Sequence, residues 1–188
     1  MTTTQQQDLI DAIVTDHREA EAVFAEIESS GDPRNRRELV EHVIVELVRH
    51  SVAEEQYLYP TARKVLPNGD ELADHELEEH AEAEKVMKAI ENTDVTDPKF
   101  DELVGKLIED IRHHLKDEEN DLLPKLRNAC DADELRRLGE KFENAKKMAP
   151  TRPHPSAPDR PPANKVLGPG VGLIDRMRDA LTGRDRSR

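Results

Sequence analysis

Two stretches of this 188-residue chain could do chemistry together: HSVAEE from His50 and HLKDEE from His114. Each opens a His-x-x-x-Glu, pairing His50 with Glu54 and His114 with Glu118. On a helix, residues four apart project from one face, about 6 Å apart along the axis. An imidazole nitrogen and a carboxylate oxygen so placed can share a divalent cation, or they can lie idle on a solvated face. One such pair decides nothing, because His and Glu are common on polar helices.

The pair gains weight because the chain repeats itself. DHREAEAVFAEIE from Asp16 matches EHAEAEKVMKAIE from Glu79 at seven of thirteen positions, aligning His17 with His80. HSVAEEQYLYP from His50 matches HLKDEENDLLP from His114 at five of eleven, and the two offsets are 63 and 64 residues. Two segments agreeing on nearly one period predict a helical hairpin used twice, related by a pseudo-two-fold axis. Matching Glu and Ala residues count for little in such helices; matching histidines count for more.

A pseudo-two-fold bundle would aim His17, His50, His80 and His114 at its axis, with Glu54 and Glu118 one turn along. Buried carboxylates facing each other need cations, or one of them must hold a proton. Two divalent ions meet that need, each Glu able to bridge them, and the donor set suits iron, zinc or manganese. Six residues on two ions leave positions open for water, oxide, oxygen or peroxide, whereas structural zinc sites are usually closed.

Other residues compete for places. His113 stands four before Asp117, a shifted alternative to His114–Glu118. Glu55 and Glu119 lie about 100° round the helix from Glu54 and Glu118, in supporting or solvent positions. Tyr57 falls on the His50 face, either as a core tyrosine or as a phenol touching the site. Glu76 stands four before His80 but has no counterpart in the first half. His75 is about 140° from His80 and is left out; His42 and His154 read as ordinary polar residues.

This pattern of His17, HSVAE, His80 and HLKDE resembles the hemerythrin-like, HHE cation-binding family over about Asp8 to Leu126. The resemblance implies a four-helix bundle with a non-haem di-iron centre that reacts with oxygen species. It implies two irons per chain, bridged by oxide, hydroxide or carboxylate, with His17, His50, Glu54, His80, His114 and Glu118 as metal ligands. Oxygen-carrying members bear a second His on the third helix and an Asp five residues after the last His. Here Glu76 and Glu84 flank His80 at four residues, and Glu118 is followed by Glu119 at the fifth position. That departure argues against reversible oxygen carriage and leaves a coordination gap for Tyr57, Glu76 or solvent. The closer likeness is to bacterial, especially actinobacterial, hemerythrin-like proteins. It implies peroxide decomposition (catalase-like), with oxygen, nitric oxide or iron sensing as the alternative.

The elements that must position these residues are helical. Apolar residues recur at helical spacing over Gln5–Ser29, Arg34–Val65, Asp70–Asn92, Pro98–Asn128 and Asp131–Met148, and no stretch alternates with period two. The expected fold is all-α, an up-down antiparallel four-helix bundle with a short fifth helix, over residues 1–148.

Residues 149–188 differ in composition. They hold seven of the twelve prolines, and eight Lys/Arg face four Asp, a net +4 that leaves −17 on the rest of a chain of net −13. A Pro-rich linker and a short amphipathic helix around Val171, Ile174, Met177 and Leu181 are expected there, as an appendage or a docking peptide for a protein partner. The acidic bundle argues against nucleic acid as partner. The chain has no apolar run long enough for a membrane span, no secretory leader is expected from its polar first residues, and one cysteine, Cys130, fits a reducing cytoplasm. Beyond oxygen-species chemistry and sensing, a third reading is a metal-free helical interaction protein.

Overall fold

The computed structural model describes residues 7–157 together with Val171 and Asp175. Over residues 7–157 the helices are α1 (Leu9–Ser29), α2 (Pro33–Val65), α3 (Gly69–Glu91), α4 (Pro98–Asp117), α5 (Leu123–Ala129) and α6 (Ala132–Met148). A π-helical turn, Glu118–Leu122, joins α4 to α5, and no strand occurs among the described residues. Aspartates start the helices. Asp8, Asp32, Asp97 and Asp131 each accept hydrogen bonds from first-turn backbone N–H groups. Pro33 and Pro98 follow two of these caps, where the missing N–H costs nothing.

The four long helices close a ring, α1 on α2, α2 on α3, α3 on α4 and α4 on α1, while α6 lies against α1 and α2. This is the expected all-α antiparallel bundle with an added helix. The fourth helix departs from the expected continuous run to Asn128. Pro124 has no N–H to give the carbonyl four residues back, and the register slips by one residue just before it, with Leu123 N–H bonding to Glu118 C=O.

The core falls into two apolar clusters along the bundle. One is built on Phe24, Val40, Ile44, Met87, Phe100 and Leu107. The other is built on Leu9, Ile13, Leu58, Leu122, Leu126 and Phe142. Leu, Ile and Val dominate this packing around Phe24, Phe100 and Phe142, and burying each large side chain stabilises by about 1.5–3 kcal/mol. Between the clusters every long helix changes character at the same level, and buried polar residues replace apolar ones.

Past α6 the chain does not leave the bundle at once. Ala149 and Thr151 are buried, and Arg152 Nη1 lies 3.5 Å from Glu91 Oε1 on α3. His154 Nε2 is 2.8 Å from the buried Asp175 carboxylate. Asp175 and Val171 are both helical; the other residues of the expected tail helix lie outside those described. The hydrogen bond to Asp175 raises His154 above its ordinary value of 6.5, against partial burial, which lowers it. A raised histidine contributes stability fully below its unfolded pKa and loses it as pH rises through the folded one. In an NMR titration of the full chain, His154 should therefore titrate above 6.5, and Asp175→Asn should bring the midpoint back towards it. Unchanged midpoints would show that the pair does not hold.

Candidate metal centre

The level where the core changes character carries the predicted residues. On α1, His17 follows Ile13 of one cluster and precedes Ala20 of the other; on α3, His80 lies between Leu77 and Ala83. On α2, His50 and Glu54 flank the change from Val48 to Ala53 and Leu58, and on the fourth helix His114 and Glu118 fall between Ile111 and Leu122. All six are at most 5% exposed.

The histidines pair. The His17 and His50 rings lie 5.1 Å apart between centroids at 64°, and the His80 and His114 rings 4.8 Å apart at 63°. Each glutamate spans the two pairs. Glu54 places Oε1 3.0 Å from His50 Nε2 and Oε2 3.4 Å from His80 Nε2. Glu118 Oε2 lies 3.5 Å from His17 Nε2 and 3.9 Å from His114 Nε2.

The outer nitrogens are spoken for. His50 Nδ1 lies 2.9 Å from Asp16, His114 Nδ1 2.9 Å from Glu79, His17 Nδ1 2.9 Å from Glu119 and His80 Nδ1 3.4 Å from Glu55. These supports obey the repeat: Asp16 and Glu79 each precede the repeated histidine, and Glu55 and Glu119 each follow the repeated glutamate. A carboxylate on Nδ1 fixes the tautomer and turns the Nε2 lone pair inward. The supports are held in turn, Asp16 by Lys146 of α6 at 2.5 Å and Glu119 by Arg18 at 2.6 Å. Phe142 of α6 packs edge-on against His50.

This inward array is short of donors. His17 Nε2, His50 Nε2, Glu54 Oε1, Glu76 Oε2 and Glu118 Oε2 are all buried without a well-aligned hydrogen bond, although His50 Nε2 faces Glu54 Oε1 at 3.0 Å and Glu76 Oε2 faces His114 Nδ1 at 2.9 Å. His80 Nε2 and His114 Nε2 stand 3.1 Å apart, two lone pairs facing each other unless a proton or cation lies between them. Buried polar atoms left unpaired cost about 1–3 kcal/mol each, so five in one place mark a site built for positive charge. The ionisation equilibria point the same way. Burial pushes His50 down, but Glu54 and Asp16 overcome it and lift it to about 10. His80 is lifted to about 9 by Glu54 and Glu55, against burial and His114. Burial pushes the Glu54 carboxyl up, yet His50 and His80 hold it well below its usual range.

The donor atoms group in a way that fits cations. His17, His50, Glu54 and Glu118 bring one ligand atom each within 4.8 Å of one another; so do Glu54, His80 and His114, and also Glu76, His114 and Glu118. Glu54 and Glu118 are shared between groups. Imidazole and carboxylate without thiolate suit a first-row transition metal.

Several alternatives left open by spacing are resolved. His114 faces inward while the His113 side chain is 67% exposed beside Asp117. Glu76 does join, 3% exposed, with Oε2 2.9 Å from His114 Nδ1. Burial raises its pKa and Glu118 and Glu79 raise it further, against His114.

The tyrosine at the centre is Tyr59, where spacing pointed to Tyr57. Tyr59 Oη lies 3.0 Å from His80 Nε2, 3.1 Å from Glu118 Oε1 and 3.4 Å from Glu54 Oε2. Tyr57 is half-buried and packs at the edge of the Leu58 cluster. A helical wheel sets Tyr59 about 180° from His50. The two nevertheless serve one site because α2 has neighbours on two sides. His50 meets α1 and α6, while Tyr59 leans back along the helix towards α3 and reaches over with a long ring.

A model of the hemerythrin HHE cation-binding domain matches residues 8–126. The chain belongs to this family. A hemerythrin-like protein of Schizosaccharomyces pombe is 31% identical over 172 residues, 91% of this chain and 85% of that protein. A DNA nickase of Nostoc is 28% identical over 144 residues, 76% of this chain but only 40% of the nickase. Among solved structures, a hemerythrin HHE cation-binding domain-containing protein from Mycobacterium kansasii superposes with a TM-score of 0.65 at 19% identity, covering 75% of this chain and 86% of that one. The fold and the buried His/Glu groups together make this hemerythrin-like domain a metal-binding module. No helix among the described residues is long and apolar enough to cross a membrane.

Proposed function

We propose that this hemerythrin-like chain holds two irons and decomposes hydrogen peroxide in a reducing cytoplasm, using His17, His50, Glu54, His80, His114 and Glu118 as ligands. The observation that carries the reading is the sharing of Glu54 and Glu118 between two histidine pairs, each with its own inward Nε2 atoms. Two irons held by these residues would supply a two-electron couple for disproportionation, in which two peroxides give two waters and one oxygen.

The chain's own groups serve that reaction in three ways. Asp16, Glu79, Glu119 and Glu55 keep the four imidazoles turned inward. A cavity of about 120 Å³ is lined by His17 and His50 together with apolar Ala20, Val23, Val43, Leu47 and Leu115 and polar Asp16, Glu19, His42 and Glu46. It is large enough for peroxide or a diatomic gas and too small for a bulky organic substrate. Tyr59 holds a proton at Oη between Glu54, Glu118 and His80. Burial keeps this phenol protonated, and the three carboxylates Glu118, Glu54 and Glu76 reinforce it.

Iron-reconstituted protein should evolve oxygen from peroxide, read with an oxygen electrode. Tyr59→Phe should keep its iron and lose about 10²-fold in rate, the usual scale for a positioned proton donor. Two bound irons with no oxygen evolution would replace this reading with oxygen, nitric oxide or iron sensing.

A further inference from the structure

Glu79 faces two ways. Its Oε2 supports His114 Nδ1 at 2.9 Å, while its Oε1 lies 3.6 Å from Nε2 of His75, one turn earlier on α3. Across the groove, His113 Nε2 lies 3.4 Å from Asp117 Oδ2 on α4. His75, Glu79 and Asp117 bring one ligand atom each within 4.8 Å of one another. These are again His and carboxylate four residues apart on facing helices, the construction of the buried centre, placed this time at the surface. His75 and His113 are 56% and 67% exposed, and Asp117 is 41% exposed.

The exposed cluster and the buried centre meet in one cleft. A cleft of about 440 Å³ between α3 and α4 is lined by His75, Glu79 and His113, and also by His80 and His114 of the centre. Glu78, Glu82, Glu109 and Asp110 also line it, and although Lys106 pairs with Asp110 and Lys85 with Glu82, acids outnumber bases along the cleft and favour cations. The first half of the chain has no equivalent. The positions matching His75, His113 and Asp117 are Ala12, Arg49 and Ala53, none of which can bind a cation. The repeat thus preserves the buried ligands and drops this cluster from one side.

We propose that His75, Glu79 and Asp117, with His113 beside them, form a second, surface site for a divalent transition cation, from which cations pass along the α3–α4 cleft to the buried centre. The passage rests on the metal-centre reading above; the surface site does not. Imidazole and carboxylate suit the same metals outside as inside. Three or four ligands open to solvent bind more weakly than an enclosed set, as a transfer station must.

The test uses the metal-free full chain and cobalt(II) as probe, comparing wild type with the double variant His75→Ala/Asp117→Asn. Both changes are on the surface and leave Glu79 and His114 intact. Calorimetry should find one weaker cobalt equivalent in wild type that the variant lacks. Visible absorbance should show the buried centre filling to the same final level in both, about tenfold more slowly in the variant. Equal numbers of equivalents would overturn the site, and equal filling rates would overturn its role in loading. If the buried centre takes no cobalt in either protein, the metal-centre reading fails, while a weak equivalent in wild type alone upholds the surface site.

Discussion

His50→Ala should leave a folded protein that holds iron at least about 100-fold more weakly than wild type. His50 is the residue on which most of the site's constraints meet. Its Nε2 points inward beside Glu54, its Nδ1 is tied to Asp16, its ring packs on His17 and Phe142, and Asp16 is anchored by Lys146. Losing a hydrogen-bonded support behind a metal ligand typically costs 10–100-fold in affinity. Losing the ligand itself removes a coordination bond and leaves Glu54 with one imidazole in place of two. Asp16→Asn should accordingly fall between wild type and His50→Ala. Circular dichroism of the variant guards against simple unfolding, and equilibrium dialysis against iron reads the affinity. An unchanged iron affinity in a folded His50→Ala protein would show that α2 does not supply this ligand.

Chelation should lower the midpoint of thermal unfolding by about 10 °C or more, and readdition of iron should restore it. Glu54, Glu76 and Glu118 crowd three buried carboxyl groups into one level of the bundle, each with one oxygen lacking a well-aligned hydrogen bond. A ligand bound only by the folded state stabilises by about 4 kcal/mol at a thousand times its dissociation constant. For a chain of this size each kcal/mol moves the midpoint by about 2–4 °C. The metal-free protein should still fold, because two apolar clusters flank the centre and neither depends on it. Midpoints that agree within about 1 °C with and without iron would mean that the buried carboxylates are satisfied without a cation.

What the sequence made legible, and what it did not, follows from the kind of information each feature needs. Helical periodicity locates the helices, because local spacing is a property of one segment. The repeat brings His17 in with His80, although His17 alone sits in a polar patch and would pass as surface. Asp16 and Glu79 were also within reach. They occupy the same place in both copies, an acid before the repeated histidine, but acidic matches in acidic helices carry little weight until the Nδ1 contacts are seen.

Tyr59 was not legible. A wheel drawn on one helix measures angles from His50 and cannot know that α2 touches α1 and α6 on one side and α3 on another. The contribution of α6 was hidden for the same reason. Lys146 and Phe142 reach the centre only because that helix lies over α1 and α2. The π-helical turn at Glu118–Leu122 depends on Pro124, whose effect spreads backward by a turn and breaks the continuous fourth helix expected to Asn128, while the spacing from His114 to Glu118 and Glu119 holds. His75 stands about 140° round the helix from His80, and spacing offers His113 only as a shifted alternative to His114; across the α3–α4 groove both line one cleft.

The central claim is that one fold level of the bundle binds two ions through shared glutamates. Metal analysis of the full chain, reconstituted with iron(II) without oxygen and freed of loosely bound ions, tests it most directly. The account predicts two irons per chain. Less than one per chain would contradict it.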